Sequence, residues 1–166
     1  SYMAQSDLLL PWLSVLENVC IGARLRGEKP DTTRAADLLA RVGLSEHTHN
    51  KPNTLSGGMR QRAALARTLF EDRPIVFLDE PFSALDAGTR ADMQELAAEV
   101  LHGRTVLLVT HDPPEATRLA HQIIIMSARD APAWPVPDPL PPRSIASAHT
   151  LACHLRPLPP LLRLTA

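Results

Sequence analysis

Leu55-Ser-Gly-Gly-Met-Arg-Gln-Arg62, followed one helix later by Ile75-Val-Phe-Leu-Asp-Glu-Pro81, is the stretch from which the rest of the chain can be read. Ser56 is a helix-capping residue type, and Gly57 and Gly58 leave the backbone of the first turn bare. The unpaired N–H groups and positive dipole end of such a helix suit a phosphate. The second segment is an apolar run of strand length that ends on two carboxylates, Asp79 and Glu80. Open α/β sheets place their chemistry at the C-terminal ends of strands. There one carboxylate can serve Mg²⁺ and the other can polarise a water. Because the run is apolar at every position, it predicts a central parallel strand covered on both faces by helices.

Working outward, the polar turn Asp72-Arg-Pro74 leads into that strand, and Pro81-Phe-Ser-Ala-Leu-Asp86 follows it. A helix is predicted over Thr89–Leu101, with Met93, Leu96, Ala97 and Val100 inward and Gly103 ending it. A second apolar strand, Thr105-Val-Leu-Leu-Val109, delivers His111, whose imidazole can donate and accept near neutral pH. A short helix over 114–120 and a strand over 122–126 continue the alternation of an α/β fold. Upstream, Ser14 caps a predicted helix reaching Leu25. Asp31 caps another, whose Ala35, Leu38, Leu39 and Val42 recur at helical spacing, and Gly43 closes it. The helix that Ser56 opens is predicted over Gly57–Phe70, with Met59, Ala63, Ala66, Leu69 and Phe70 on its apolar face and Arg60, Arg62 and Arg67 largely off it. Asp7-Leu-Leu-Leu-Pro-Trp-Leu13 is unusually apolar for a loop and reads as a partner groove with part of it packed inward.

The chain has 166 residues, enough for one domain with a sizeable core. Its composition, 45% hydrophobic and 21% charged, is that of a soluble globular protein. A net charge of −1 gives no case for a nucleic-acid partner. Cys20 and Cys153 are too few for a zinc motif or a disulfide framework and read as ordinary thiols. His47 and His49 read as loop histidines, since no further ligand completes a metal set. No apolar run approaches the ~20 residues of a membrane span. Beyond Ser127 the character changes: residues 131–166 hold 9 of the 16 prolines, which argues against regular helix or sheet and for an extended linker. A short helix is expected within Ile145–Ala166.

These motifs, in this order, resemble those of ATP-binding cassette (ABC) ATPases over roughly residues 1–126. Leu55-Ser-Gly-Gly-Met is similar to the signature motif, with Met59 where the family usually has Gln. Ile75 to Glu80 is similar to the Walker B strand, Ser83-Ala-Leu-Asp86 to the D-loop, Thr110-His-Asp112 to the switch histidine and Gln5 to the Q-loop glutamine. The resemblance implies a P-loop NTPase-like α/β cassette with a parallel core sheet and an inserted helical subdomain. Residues 1–5 would end a core strand, 6–70 would form the helical subdomain, 71–127 the RecA-like core and 128–166 a proline-rich extension. It implies ATP and Mg²⁺ as ligands. Glu80 would be the catalytic base, His111 the γ-phosphate sensor, Asp79 and Gln5 Mg²⁺ contacts mostly through water, and Ser56, Gly57, Gly58, Asp86 and Gln5 contacts of the nucleotide site.

The implied partners are a second cassette in a head-to-tail dimer, a membrane permease docking on residues 7–13 and, indirectly, a periplasmic solute-binding protein, at the cytoplasmic face of a bacterial inner membrane. Pro11-Trp12, the run Leu13-Ser-Val-Leu-Glu-Asn-Val19 and Asp79–Asp86 are similar to the nitrate/sulfonate/taurine group of importers. The sequences Val109–Ala116 and Leu119-Ala-His-Gln-Ile-Ile are similar to importers of the thiamine precursor hydroxymethylpyrimidine. None of the seven glycines begins the G-x-x-x-x-G-K-[ST] loop that cradles β- and γ-phosphates. The expectation is therefore the C-terminal part of a longer cassette with the N-terminal strands and P-loop before Ser1, and no ATPase activity in these residues alone. Two alternatives accompany it. One is a non-catalytic truncated cassette that only pairs with an intact one. The other is a non-transport ABC ATPase, against which stands the absence of a coiled-coil insertion between Gln5 and Leu55.

Overall fold

Tyr2–Met3 (β1), Ile75–Asp79 (β2) and Thr105–Val109 (β3) form a parallel sheet in the order β1-β2-β3, in a computed structural model that describes residues 1–125 and 133–134. Tyr2, Phe77 and Leu107 align across the three strands. The strand that precedes Glu80 is therefore central, as its apolar run predicts. Its two faces differ, however. Val76 and Leu78 are buried, whereas Ile75 and Phe77 are 52% and 44% exposed. Tyr2, Leu107 and Val109 continue this bare apolar face. The expectation of helices on both faces is thus corrected for the described residues: only one face is covered.

Between β1 and β2 the chain is helical. Val15–Val19 (α1), Ile21–Leu25 (α2), Thr32–Arg41 (α3) and Gly57–Phe70 (α4) follow one another, with two short 3-10 turns at Ser45–His47 and Pro52–Thr54. Ser14 caps α1 in a reciprocal box: its hydroxyl accepts from Glu17 N at 3.2 Å, and the Glu17 carboxylate accepts from Ser14 N at 2.7 Å. The single helix expected from Ser14 to Leu25 is two short ones that meet at Cys20, a free, buried thiol. The close approach of Gly22 to the end of α4 accompanies the break, since a Cβ on Gly22 would overlap the Glu71 carboxylate. Asp31 caps α3 by accepting from Arg34 N at 3.0 Å. At its other end Gly43 takes a φ of +69°, with Gly43 N donating to Ala40 O and Leu44 N to Leu39 O.

The centre of this unit is α4, which packs against α1, α3, β1 and Ala87–Val100 (α5). Ala63, Ala64, Leu65, Ala66, Leu69 and Phe70 are all buried, so the helix is enclosed on more than the one face its periodicity suggests. Its alanines let neighbouring backbones come close. Phe82 is fully buried in the turn after β2, worth about 3 kcal/mol of apolar burial. α5 begins two residues earlier than predicted because Asp86, and not a later residue, is its cap.

Two compact units divide after Val109. In the second, Pro113–Leu119 (α6) follows His111. Ile123–Ile124 (β4), shorter than predicted, pairs antiparallel with Ala133–Trp134 (β5) instead of extending the parallel sheet. The expectation that the proline-rich stretch excludes sheet is therefore corrected at 133–134, where neither residue is a proline and the backbone N–H groups remain available to a ladder. Cys153 and the helix expected within 145–166 lie outside the described residues.

Candidate functional site

The end of β2 is where the sheet presents its carboxylates. Alternation along the strand puts Asp79 on the same, open face as Phe77. The Tyr2 hydroxyl lies 3.5 Å from Asp79 Oδ2, a long contact that leaves the carboxylate half-buried and approachable. Glu80 then leaves the strand with a φ of +46°, a region that costs a non-glycine residue of order 1–3 kcal/mol. Several bonds hold that turn. Glu80 N donates to Val109 O at 2.9 Å, while Glu80 O accepts from Ser83 Oγ at 3.0 Å and from Ser83 N at 3.3 Å. The Glu80 carboxylate accepts from Gln5 Nε2 at 3.0 Å. Two residues singled out from widely separated parts of the sequence are thus in direct contact, because β1 and β2 are neighbours in the sheet.

Ser56 caps α4, its hydroxyl accepting from Met59 N at 3.2 Å. Met59 supplies this bond through its backbone, which the exchange from Gln leaves intact. Gly57 and Gly58, adjacent in sequence, face different surroundings. A Cβ on Gly57 would come no nearer than 3.9 Å to Arg60 Nη2, so its side of the turn is open. A Cβ on Gly58 would lie 3.4 Å from Ala84 O and 3.6 Å from Leu85 Cδ2, so Gly58 backs onto the Ser83–Asp86 loop. Asp86 accepts from Thr89 N at 3.0 Å, and this bond holds its carboxyl below the usual aspartate range. The structure gives it a capping role at α5. His111 belongs to the second unit, where it is exposed just ahead of α6.

Among the described residues no three His, Cys, Asp or Glu side chains cluster as a self-sufficient metal cage. Mg²⁺ in phosphoryl-transfer sites needs less, usually one or two carboxylates with waters and substrate oxygens. A strand-end Asp79 open on one side, with Glu80 next to it, fits that smaller requirement.

Other contributors carry no motif-like signal. Asn18 is fully buried. It accepts from Leu10 N at 2.7 Å and donates to the carbonyls of Leu10, Leu13 and Ser14 at 3.1, 3.3 and 3.0 Å. It therefore pins the apolar 7–13 loop from inside. Arg60 Nε binds Asp7 Oδ2 at 3.0 Å, and Arg67 donates to the carbonyls of Asp7 and Leu8 at 2.7 and 2.8 Å. Both arginines, expected to lie off the packed face of α4, tie that helix to this loop. Held in this way, the loop buries Leu9 and presents Leu8 and Trp12, 62% and 68% exposed. Gln61, buried on α4, reaches the turn after β2. The sequence alone does not mark these residues, because an isolated Asn, Gln or Arg is ordinary until its neighbours in space are known.

Comparison with known proteins adds an independent line. The family model described as ABC transporter matches residues 1–83. An uncharacterised ABC transporter ATP-binding protein of Haemophilus influenzae is 48% identical over 76% of this chain and 53% of its own length. The aliphatic sulfonates import ATP-binding protein SsuB 2 of Agrobacterium fabrum is 50% identical over 75% of this chain and 47% of its own length. The thiamine import ATP-binding protein ThiQ of Cereibacter sphaeroides is 45% identical over 76% and 57%. The chain spans about half the length of the curated relatives it matches. Among solved structures, a dimeric ATP-binding cassette in a post-hydrolysis state with ADP and Pi superposes with a TM-score of 0.64 at 35% identity, over 70% of this chain and 53% of that one.

Proposed function

The chain belongs to the ABC transporter family, and we propose that it supplies the signature, Walker B and switch elements of the ATP-hydrolysing subunit of a bacterial importer. The observation that carries the reading is the meeting of Gln5 and Glu80 at 3.0 Å beside Asp79, at the C-terminal edge of a parallel sheet. It is the arrangement expected of a water-orienting carboxylate next to a cation-binding one.

In this reading Glu80 accepts the proton of the attacking water and orients it in line with the γ-phosphoryl group. Gln5 fixes the rotamer of that carboxylate and reports on it to the 7–13 loop, two residues further along the chain. Asp79 receives Mg²⁺ on its open side, largely through water, and the ion offsets charge on the transferring group. Ser56 and the open side of Gly57 present backbone N–H groups to the phosphates of a nucleotide held by a second cassette. Support for pairing with a second cassette comes from the dimeric cassette among the structural neighbours. Asp86 and Gly58 shape the adjoining loop, and His111 contacts the γ-phosphate.

Exposed Leu8 and Trp12 form the docking point for a permease, with a periplasmic solute-binding protein acting through that permease. The subunit then sits peripherally on the cytoplasmic face of the inner membrane. In keeping with this, no helix among the described residues is long and apolar enough to cross a bilayer. The solute is a sulfonate, taurine or thiamine, as the names of similar subunits state for theirs, or the thiamine precursor hydroxymethylpyrimidine.

The test is ATP turnover by the complete protein, the chain as its source makes it. Glu80→Gln is expected to lower kcat by about 10²- to 10⁴-fold, the usual worth of a positioned general base. Turnover that survives this exchange sinks the assignment of Glu80. Residues 1–166 on their own are expected to hydrolyse no ATP, since the sequence contains no G-x-x-x-x-G-K-[ST] loop. A source protein with no more than these residues would instead favour the non-catalytic pairing partner, and its intact mass distinguishes the two.

A further inference from the structure

We propose that Gln61 is a positioning residue for Glu80, through which the signature helix sets the placement of the catalytic carboxylate. The inference rests on the reading of Glu80 as general base. Gln61 lies on α4, one turn beyond Gly58, in a stretch whose other buried positions are mostly alanine and leucine. It is only 4% exposed. A primary amide placed there has a desolvation cost that only hydrogen bonds offset. Its Nε2 donates to Pro81 O at 3.1 Å and lies 3.4 Å from Glu80 O. The two N–H bonds of one amide group thus address the carbonyls of two successive peptides, Glu80–Pro81 and Pro81–Phe82.

That peptide is the point where the chain leaves the strand with Glu80 at positive φ. A strained turn keeps its shape only if its surroundings over-determine it. Proline at 81 removes one backbone donor from the turn. Val109 braces it from the sheet and Ser83 from within the turn. Gln61 braces it from the helix whose first turn carries Ser56 and Gly57. A shift of that first turn therefore reaches the Glu80 backbone through the Gln61 side chain, alongside the contact of Gly58 with the Ser83–Asp86 loop. This gives a physical link between contact at the signature and competence of the base.

The experiment uses the complete protein and four forms of it: the parent, Gln61→Met, Glu80→Gln and the double variant. Methionine keeps the length and helical preference of glutamine and removes both donors. Gln61→Met is expected to lower kcat about 10- to 100-fold, the usual consequence of a small misplacement of a catalytic group, with the KM for ATP within about twofold. If Gln61 acts through Glu80, the double variant is no slower than Glu80→Gln alone, because coupled residues are non-additive. An unchanged kcat in Gln61→Met overturns the proposal, and so do losses that multiply in the double variant. A Glu80→Gln protein as active as the parent instead overturns the assignment of the base, and the proposal with it.

Should Gln61→Met fail to fold, Gln61→Glu replaces it. A buried carboxyl facing two carbonyls is driven toward its protonated form and then keeps one O–H donor. Its activity relative to the parent is expected to rise as pH falls from 8 to 6, about the range over which such buried carboxyls titrate. A flat ratio overturns the proposal.

Discussion

Glu80 owes its position to a backbone angle that its own side chain disfavours, and the neighbours that enforce the angle are all within hydrogen-bond reach. Other carboxylates here are spent on helix starts. Asp86 is held below its usual range by the Thr89 N–H, and Glu17 by the Ser14 N–H. Since both folded-state values are depressed, the stability they contribute is fully present above the unfolded values of about 4. It is lost as pH falls through the lower folded values. Thermal midpoints recorded from pH 6 to about pH 3 should therefore fall less steeply in Asp86→Asn, which still caps but does not titrate. An acid limb identical to that of the parent would remove Asp86 from the account. At this scale the sequence offered Glu80, Asp79 and Gln5 as candidates, because a strand-end acid pair and an ordered motif series stand out, and the fold brings Gln5 onto Glu80. It was silent on Gln61 and Asn18, whose significance lies entirely in which carbonyls they reach.

At the scale of the element, the caps at Ser14, Asp31 and Ser56 and the glycine stop at Gly43 all stand where residue type alone put them. Local bonds suffice to define such ends. The break at Cys20 was not legible, because it accompanies packing against Glu71, forty-nine residues on from Gly22. There Arg26 Nη1 meets Glu71 Oε2 at 2.5 Å, and a Cβ at 22 would require the Glu71 carboxylate to move. The 7–13 loop is the element most dependent on one side chain. Replacing Asn18 by Leu leaves Leu10 N and three carbonyls without that partner, a loss of about 2–3 kcal/mol if a buried group stays unpaired. Urea unfolding of the parent and of Asn18→Leu measures it. We expect a lower midpoint, and equal midpoints would mean that Arg60, Arg67 and Lys51 hold the loop without it.

Over the whole molecule, the consequence that matters is the bare face of the sheet. Tyr2, Ile75, Phe77, Leu107 and Val109 present apolar surface on adjacent parallel strands. Such surface favours association, and the open strand edge adds to the risk. Residues 1–166 produced alone are expected to bind an apolar dye such as ANS and to self-associate. Phe77→Lys combined with Leu107→Glu, on neighbouring strands of that face, should reduce both effects, and a monomeric parent that binds no dye would contradict this. The sequence by itself determined the family, the caps at Ser14, Asp31 and Ser56, the strand that carries the acid pair and the order of the site elements, because these rest on local chemistry and motif order. Only the tertiary structure decided which side of β2 is covered, that the stretch at 133–134 pairs with β4, that α2 must start anew after Cys20, and that Gln61 meets the Glu80 turn. Each of these depends on which distant residue comes to lie alongside, and neither periodicity nor propensity encodes that.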